Sequence, residues 1–254
     1  MASPLLRARI HLITFASVSH GYASGGFERY TSNSAAGIDT PPFRPSTVWT
    51  YEIGSRARLL NDNLWLSGSL FYNDVTDGQV VFFDPTTFNL FFDNQDYRSY
   101  GAELELQADL SPNLRLRGAL GYTETEIRNV SPTSVTRAVN GNEVPNIPNI
   151  TASLGIEYRQ DLALFGTTGE FVFNGDVSHV GARQADVANS FEIDSYTVTD
   201  LQVGWDRGNI ELYAYARNVF DERPIYFTSV FSPNANAAIV GRGRQLGIGA
   251  RWEW

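Results

Sequence analysis

Three histidines, His11, His20 and His179, are the side chains best suited to acid-base or metal chemistry, and their spacing supports neither. A metal centre needs ligands that converge and a hydrolytic site needs an oriented nucleophile, yet neither His-Glu-x-x-His nor Gly-x-Ser-x-Gly occurs. There is no cysteine, so thiolate ligands and disulfide staples are excluded. One enzymatic alternative sets His20 and His179 beside Asp176 and Asp186 as an acid and a base at the rim of a sheet. The chain is nevertheless read as non-catalytic, without cofactor or metal.

A second set of residues is charged and periodic. Glu52, Arg56, Arg58, Glu103, Glu105, Arg115, Arg117, Arg251 and Glu253 occupy alternate positions in segments whose intervening residues are apolar. Period-two spacing puts them on one face of their strands. The bland reading is cross-strand pairing of Glu103 and Glu105 with Arg115 and Arg117, worth roughly 0.2 to 1 kcal/mol per pair. It is preferred here to a substrate site. A third set, Tyr22, Phe27, Tyr30, Phe82, Phe83, Phe91, Phe92, Tyr226 and Phe227, falls in or beside the long connections, where aromatics meet a ligand or form an interfacial girdle.

The elements that must carry these residues are strands. The last ten residues alternate without a fault: Leu246, Ile248, Ala250, Trp252 and Trp254 share one face, and Gln245, Gly247, Gly249, Arg251 and Glu253 share the other. Tyr100, Ala102, Leu104, Leu106, Ala108 and Leu110 alternate in the same way with Gly101, Glu103, Glu105, Gln107 and Asp109. Similar patterns predict about ten strands, near 10–20, 47–59, 63–83, 100–110, 113–127, 149–160, 169–181, 195–206, 209–216 and 245–254. Short links near 61, 111, 165 and 207 alternate with long ones near 30, 84, 137, 188 and 230. One apolar face and one polar face, with loops sorted by end, fit an all-β antiparallel transmembrane barrel with short periplasmic turns and long extracellular loops. That polarity leaves the carboxyl terminus periplasmic. A soluble β-sandwich gives the alternation but no reason to sort loop length.

Composition narrows the field further. Aromatic residues make up 13% of 254, with 22 glycines and only 19% charged, a profile of many strands and tight turns. A net charge of -9 with its 19 basic residues scattered excludes nucleic acid as a partner. No apolar run is long enough for a transmembrane helix. Arg7 and Arg9 before Ile10–Val18 faintly suggest a signal peptide, but His11 and Thr14 interrupt the run, which is read as a strand.

Several segments resemble the carboxyl-terminal half of TonB-dependent outer-membrane receptors, especially the siderophore receptors. They are Ser17-Val-Ser-His-Gly-Tyr-Ala-Ser-Gly-Gly-Phe27, Tyr51-Glu-Ile-Gly54, Leu70-Phe-Tyr-Asn-Asp74, Tyr100-Gly-Ala-Glu-Leu-Glu105 and Ala216-Arg-Asn-Val-Phe-Asp-Glu222, followed by the terminal aromatic strand. The resemblance runs from residue 12 to 254 and implies one unit, 1–254, that is part of a plugged barrel of about 22 strands. It implies energy-coupled uptake of ferric siderophores or similar ligands, a TonB-type coupler, outer-membrane lipid around the wall, and delivery by the barrel-assembly machinery through the terminal strand. The plug domain, the coupler-binding segment and an export signal are not found in the sequence. In such a receptor the alternating charges line the lumen and the loop aromatics meet an aromatic iron chelate. Asn218 and Asp221 are expected to fold the strand end over the rim by bonding backbone. The alternative is a small passive barrel, a pore or adhesin, closed by pairing Ile10–Ser19 with Gln245–Trp254.

Overall fold

The computed structural model describes residues 11–27, 42–84, 89–132, 134, 136–164, 166–232 and 235–253. Ten antiparallel strands form one sheet: β1 (His11–Ala23), β2 (Ser46–Leu59), β3 (Leu64–Asp84), β4 (Asn89–Ser111), β5 (Leu114–Arg128), β6 (Ile150–Leu164), β7 (Thr167–Val180), β10 (Tyr196–Asp206), β11 (Ile210–Arg217) and β14 (Gln245–Trp252). They lie in chain order. Two small hairpins, β8 (Arg183–Gln184) with β9 (Glu192–Ile193) and β12 (Ile225–Ser232) with β13 (Ala235–Val240), stand outside the sheet.

The register carries each apolar row from strand to strand. Ile53 faces Leu70, Leu70 faces Ala102, Ala102 faces Tyr122 and Tyr122 faces Ile150. On the far side Leu201 faces Ala216, which faces Leu246. These side chains are not in a core: Leu70 is 59%, Leu154 54% and Ile248 88% exposed, so this face has no protein cover. Tyr51, Tyr72 and Tyr100 form a tyrosine row with ring centroids 6.4 Å apart. Beyond that row the same face turns charged, with Asp74 paired to Arg128 and Arg98 to Glu126.

Tight turns close one end. Leu60, Asn61 and Asp62 all take left-handed backbone, φ 54°, 55° and 70°, which Asn and Asp tolerate better than most residues. The opposite end holds the buried apolar cluster of Val80, Ile127, Val144 and Val187, where the 129–149 and 181–195 connections fold onto β3 to β5.

Four expectations need correction. The length assigned to a loop near 84 belongs to strands: β3 has 21 residues and β4 has 23, and they pair to Asp84–Asn89. At about 3.3 Å per residue β3 spans roughly 70 Å, far beyond an apolar band of about 25 Å. The 181–195 and 218–244 connections contain the two small hairpins rather than only loop. Glu103 and Glu105 do not meet Arg115 and Arg117, because the turn at Pro112–Asn113 fixes a register that puts Gly121 and Ala119 opposite them. Arg115 instead pairs with Asp109 and Arg117 faces Gln107. Finally, β1 and β14 are the two edges of the sheet and do not pair, so the closure required by the small passive barrel is not made among the described residues.

Candidate functional site

The polar face of the sheet is a lattice of charges set by register. Arg115 Nε donates to Asp109 Oδ1 at 2.6 Å, Arg159 Nε to Glu157 Oε1 at 2.8 Å, Arg159 Nη1 to Glu170 Oε2 at 2.9 Å, and Arg251 Nη1 to Glu211 Oε2 at 2.9 Å. Arg56 lies over the Phe15 ring, 5.2 Å from its centroid, and the Ser17 hydroxyl donates to Glu52 at 3.5 Å. This face holds two adjoining grooves. One is lined by His11, Arg56, Arg58, Trp65, Ser67 and Glu105, the next by Glu105, Gln107, Arg117, Ser153, Asp176 and Ser178. Of the charges singled out from sequence, Arg56, Arg58, Glu105 and Arg117 therefore share one continuous surface. Glu103 and Arg115 flank it on the same face, while Arg251 lies on the β14 edge. The pairs are half-exposed and contribute little stability each. What they provide is a wall that water and charged solutes can wet.

The long-loop end is built differently. Arg44 donates Nε to Asp77 Oδ1 at 3.1 Å, its backbone N–H donates to Asn94 Oδ1 at 2.7 Å, and Asn94 Nδ2 returns to Arg44 O at 3.0 Å. These bonds tie the base of the first long connection to the β3–β4 hairpin. Asn189 bonds the next two connections together: Oδ1 accepts from Glu143 N at 2.7 Å and Nδ2 donates to Glu143 O and Asp186 O at 3.0 Å each. Burial raises the Glu143 carboxyl above its ordinary value, helped by the nearby charges of Glu124 and Glu192. The last connection is knotted at Asn218, buried with φ 51°. Its N–H donates to Asp200 Oδ1, its Nδ2 to Glu222 O and Arg242 O, and its Oδ1 accepts from Glu222 N. Asp221 Oδ1 accepts from Arg244 N at 2.7 Å, and that bond, together with the charges of Arg223 and Arg244, holds its carboxyl below the ordinary value. The backbone-bonding role expected of Asn218 and Asp221 is thus what the structure shows.

The aromatic candidates are spread over this end. Tyr22 and Phe27, 69% and 80% exposed, flank the Gly26–Phe43 bridge. Phe82 and Phe91 are register partners in the β3–β4 hairpin, with Phe83 beside them, and Phe92 stacks on Phe43 at 4.6 Å. Tyr226 and Phe227 are on β12, Tyr226 meeting Tyr196 edge-on at 5.9 Å. Tyr30 and Trp254 lie outside the described residues. Sequence reasoning passed over Phe43, Tyr196 and Arg183; an aromatic beside a proline pair, at Phe43, was the one signal available. The histidines are not brought together. His20 stacks on Trp49 at 4.5 Å and His179 bonds Thr197 at 2.9 Å, six places apart in the sheet order. Among the described residues no group of three or more His, Cys, Asp or Glu is placed to hold a metal ion.

Known proteins carry the same pattern. Residues 10–219 match the family model described as TonB dependent receptor-like, beta-barrel. The ferrichrome outer membrane transporter/phage receptor of Escherichia coli K12 is 26% identical over 225 residues, 86% of this chain and 28% of its own length. The metal-pseudopaline receptor CntO of Pseudomonas aeruginosa is 26% identical over 219 residues, 85% of this chain and 29% of its own length. The chain thus spans less than a third of the relatives it matches. Among solved structures, the ferric yersiniabactin uptake receptor FyuA of Yersinia pestis superposes with a TM-score of 0.79 at 22% identity, covering 96% of this chain and 35% of the receptor. The siderophore receptor PiuA of Acinetobacter baumannii gives a TM-score of 0.71 at 18% identity over 95% of this chain and 34% of PiuA. With the family model matched across all but the last strands, and ten antiparallel strands ordered as such a wall requires, this chain belongs to the TonB-dependent receptor β-barrel family.

Proposed function

We propose that this chain is the carboxyl-terminal part of the barrel wall of an outer-membrane receptor that takes up ferric siderophores or similar metal chelates. The observation that carries the reading is the division of the sheet: an exposed apolar face continuous across the strands, bounded by a tyrosine row, backs a face of ion pairs. Lipid favours the first face and a wet lumen the second. In this reading the short turns are periplasmic, the carboxyl terminus is periplasmic, and the long connections meet ligand outside the cell. The apolar row of β14, Leu246, Ile248, Ala250 and Trp252, faces lipid and engages the barrel-assembly machinery. Passage through the wall requires a plug and a TonB-type energy coupler, and Arg56, Glu103, Glu105, Arg115 and Arg117 then line the passage.

The test has two parts. Expressed behind an export signal, the chain should fractionate with outer membrane, and a tag after Trp254 should be labelled only once that membrane is permeabilised. Expressed alone in a receptor-deficient strain, it should not restore iron-limited growth; labelling on intact cells, or full rescue, overturns the assignment.

A further inference from the structure

Arg183, on β8, is 5% exposed and is the one charged side chain buried among the described residues. Its Nη2 donates to two backbone carbonyls of β12, Ile225 O at 2.8 Å and Tyr226 O at 2.9 Å. Its guanidinium lies over the Tyr196 ring, 5.9 Å from the centroid. No carboxylate pairs with it among the described residues, and its Nη1 has no partner. On the strand it grips, Thr228 is 6% exposed and its hydroxyl is unpartnered as well. A buried cation held only by neutral carbonyls and a ring face is under-compensated, and an anionic oxygen makes a hydrogen bond about twice as strong as a neutral one.

The gripped element is placed to matter. β12 touches β9 and also β3, which stands six places from β11 in the sheet order. Six strand spacings are roughly 29 Å, and the eight residues of β12 extend about 27 Å. The β12–β13 hairpin therefore has the length to reach from one side of the sheet to the other at the long-loop end.

We propose that Arg183 is a docking point for an anionic oxygen of an incoming chelate, of the carboxylate class, and that its occupation frees the β12–β13 hairpin. The ligand oxygen takes Nη1 and competes with the Ile225 and Tyr226 carbonyls for the guanidinium. This rests on the reading of the long-loop end as the ligand-receiving mouth.

Hydrogen exchange of the full chain in detergent micelles tests it, with iron-free citrate as the probe and sodium chloride at matched ionic strength as the control. Citrate should accelerate exchange of amides 225–232 by about tenfold, the scale of losing hydrogen bonds to a charged group. R183Q should exchange fast without citrate and show no citrate response, and R183K, which keeps charge without the fork, should respond weakly. Wild-type exchange that citrate leaves unchanged, or a citrate response that survives in R183Q, overturns the proposal. Because the readout needs no iron transport, the two readings fail separately: a missing citrate response in a chain that reaches the outer membrane overturns this proposal alone, whereas failure to reach that membrane overturns the receptor reading and with it this one.

Discussion

Tyr215 lies flat across Gly247, and two residues away Tyr213 lies across Gly249, so that a Cβ at either glycine would sit inside the facing ring. The terminal strand is thus held by aromatic cover on its polar face as well as by the β11 ladder. Gly247→Val should cost about 1 to 3 kcal/mol through overpacking, and Tyr215→Ala in the same chain should recover part of that loss. Urea unfolding in detergent, read by tryptophan fluorescence, compares the three proteins; additive losses would mean that the ring and the glycine are independent.

Leu104 and Glu105 are sequence neighbours on opposite faces, Leu104 opposite Leu120 and Glu105 opposite Ala119. If the apolar face meets lipid, Leu104→Arg costs about 2 to 4 kcal/mol in vesicles while Glu105→Gln changes little. Equal effects would contradict the assignment of faces.

The Asn218 side chain makes three hydrogen bonds to backbone from a buried, left-handed position. Asn218→Ala strands several of those partners and should cost about 1 to 3 kcal/mol, concentrated in the last connection. Limited proteolysis should cut between 218 and 244 in the variant before any site in the ten-stranded sheet. Cleavage elsewhere first would remove Asn218 from that role.

Acidity should act on two connections with opposite signs. Burial raises Glu143 above 4.5, so the folded form holds its proton more tightly; the contribution is present below that value and is lost as pH rises through the folded pKa. The Asp221 carboxylate is held below 3.8, so its contribution is present above that value and is lost as pH falls through the folded pKa. Corrected for the intrinsic pH dependence of exchange, amide protection around 143 should therefore rise on going from neutral pH to pH 4.5, while protection around 244 should fall only on further acidification. Glu143→Gln should abolish the first change and leave the second.

The strands were legible because a sheet with one apolar and one polar face imposes period-two alternation, and that pattern is strong at Tyr100–Leu110 and Gln245–Trp252. What alternation cannot give is register. Glu105 and Arg117 carry opposite charge on neighbouring strands, yet the hairpin turn at Pro112–Asn113 offsets them by one rung, a displacement that alternation does not encode. The rim was also illegible, for a different reason. Phe43 and Phe92 are 49 residues apart and meet because Arg44 is tied to Asp77 and Asn94, a tertiary arrangement with no local signature. Arg183 gives no periodic signal at all, being one cation in a short strand whose partners are main-chain carbonyls.

The two edges, unpaired among the described residues, carry an arithmetic of their own. Every neighbouring pair in the sheet is antiparallel and there are ten strands, so β1 and β14 point in opposite directions. A ring closed through further strands by regular antiparallel pairing would need an even number of them, since an odd number would force one parallel seam. The twelve that would bring ten to about 22 satisfy that condition.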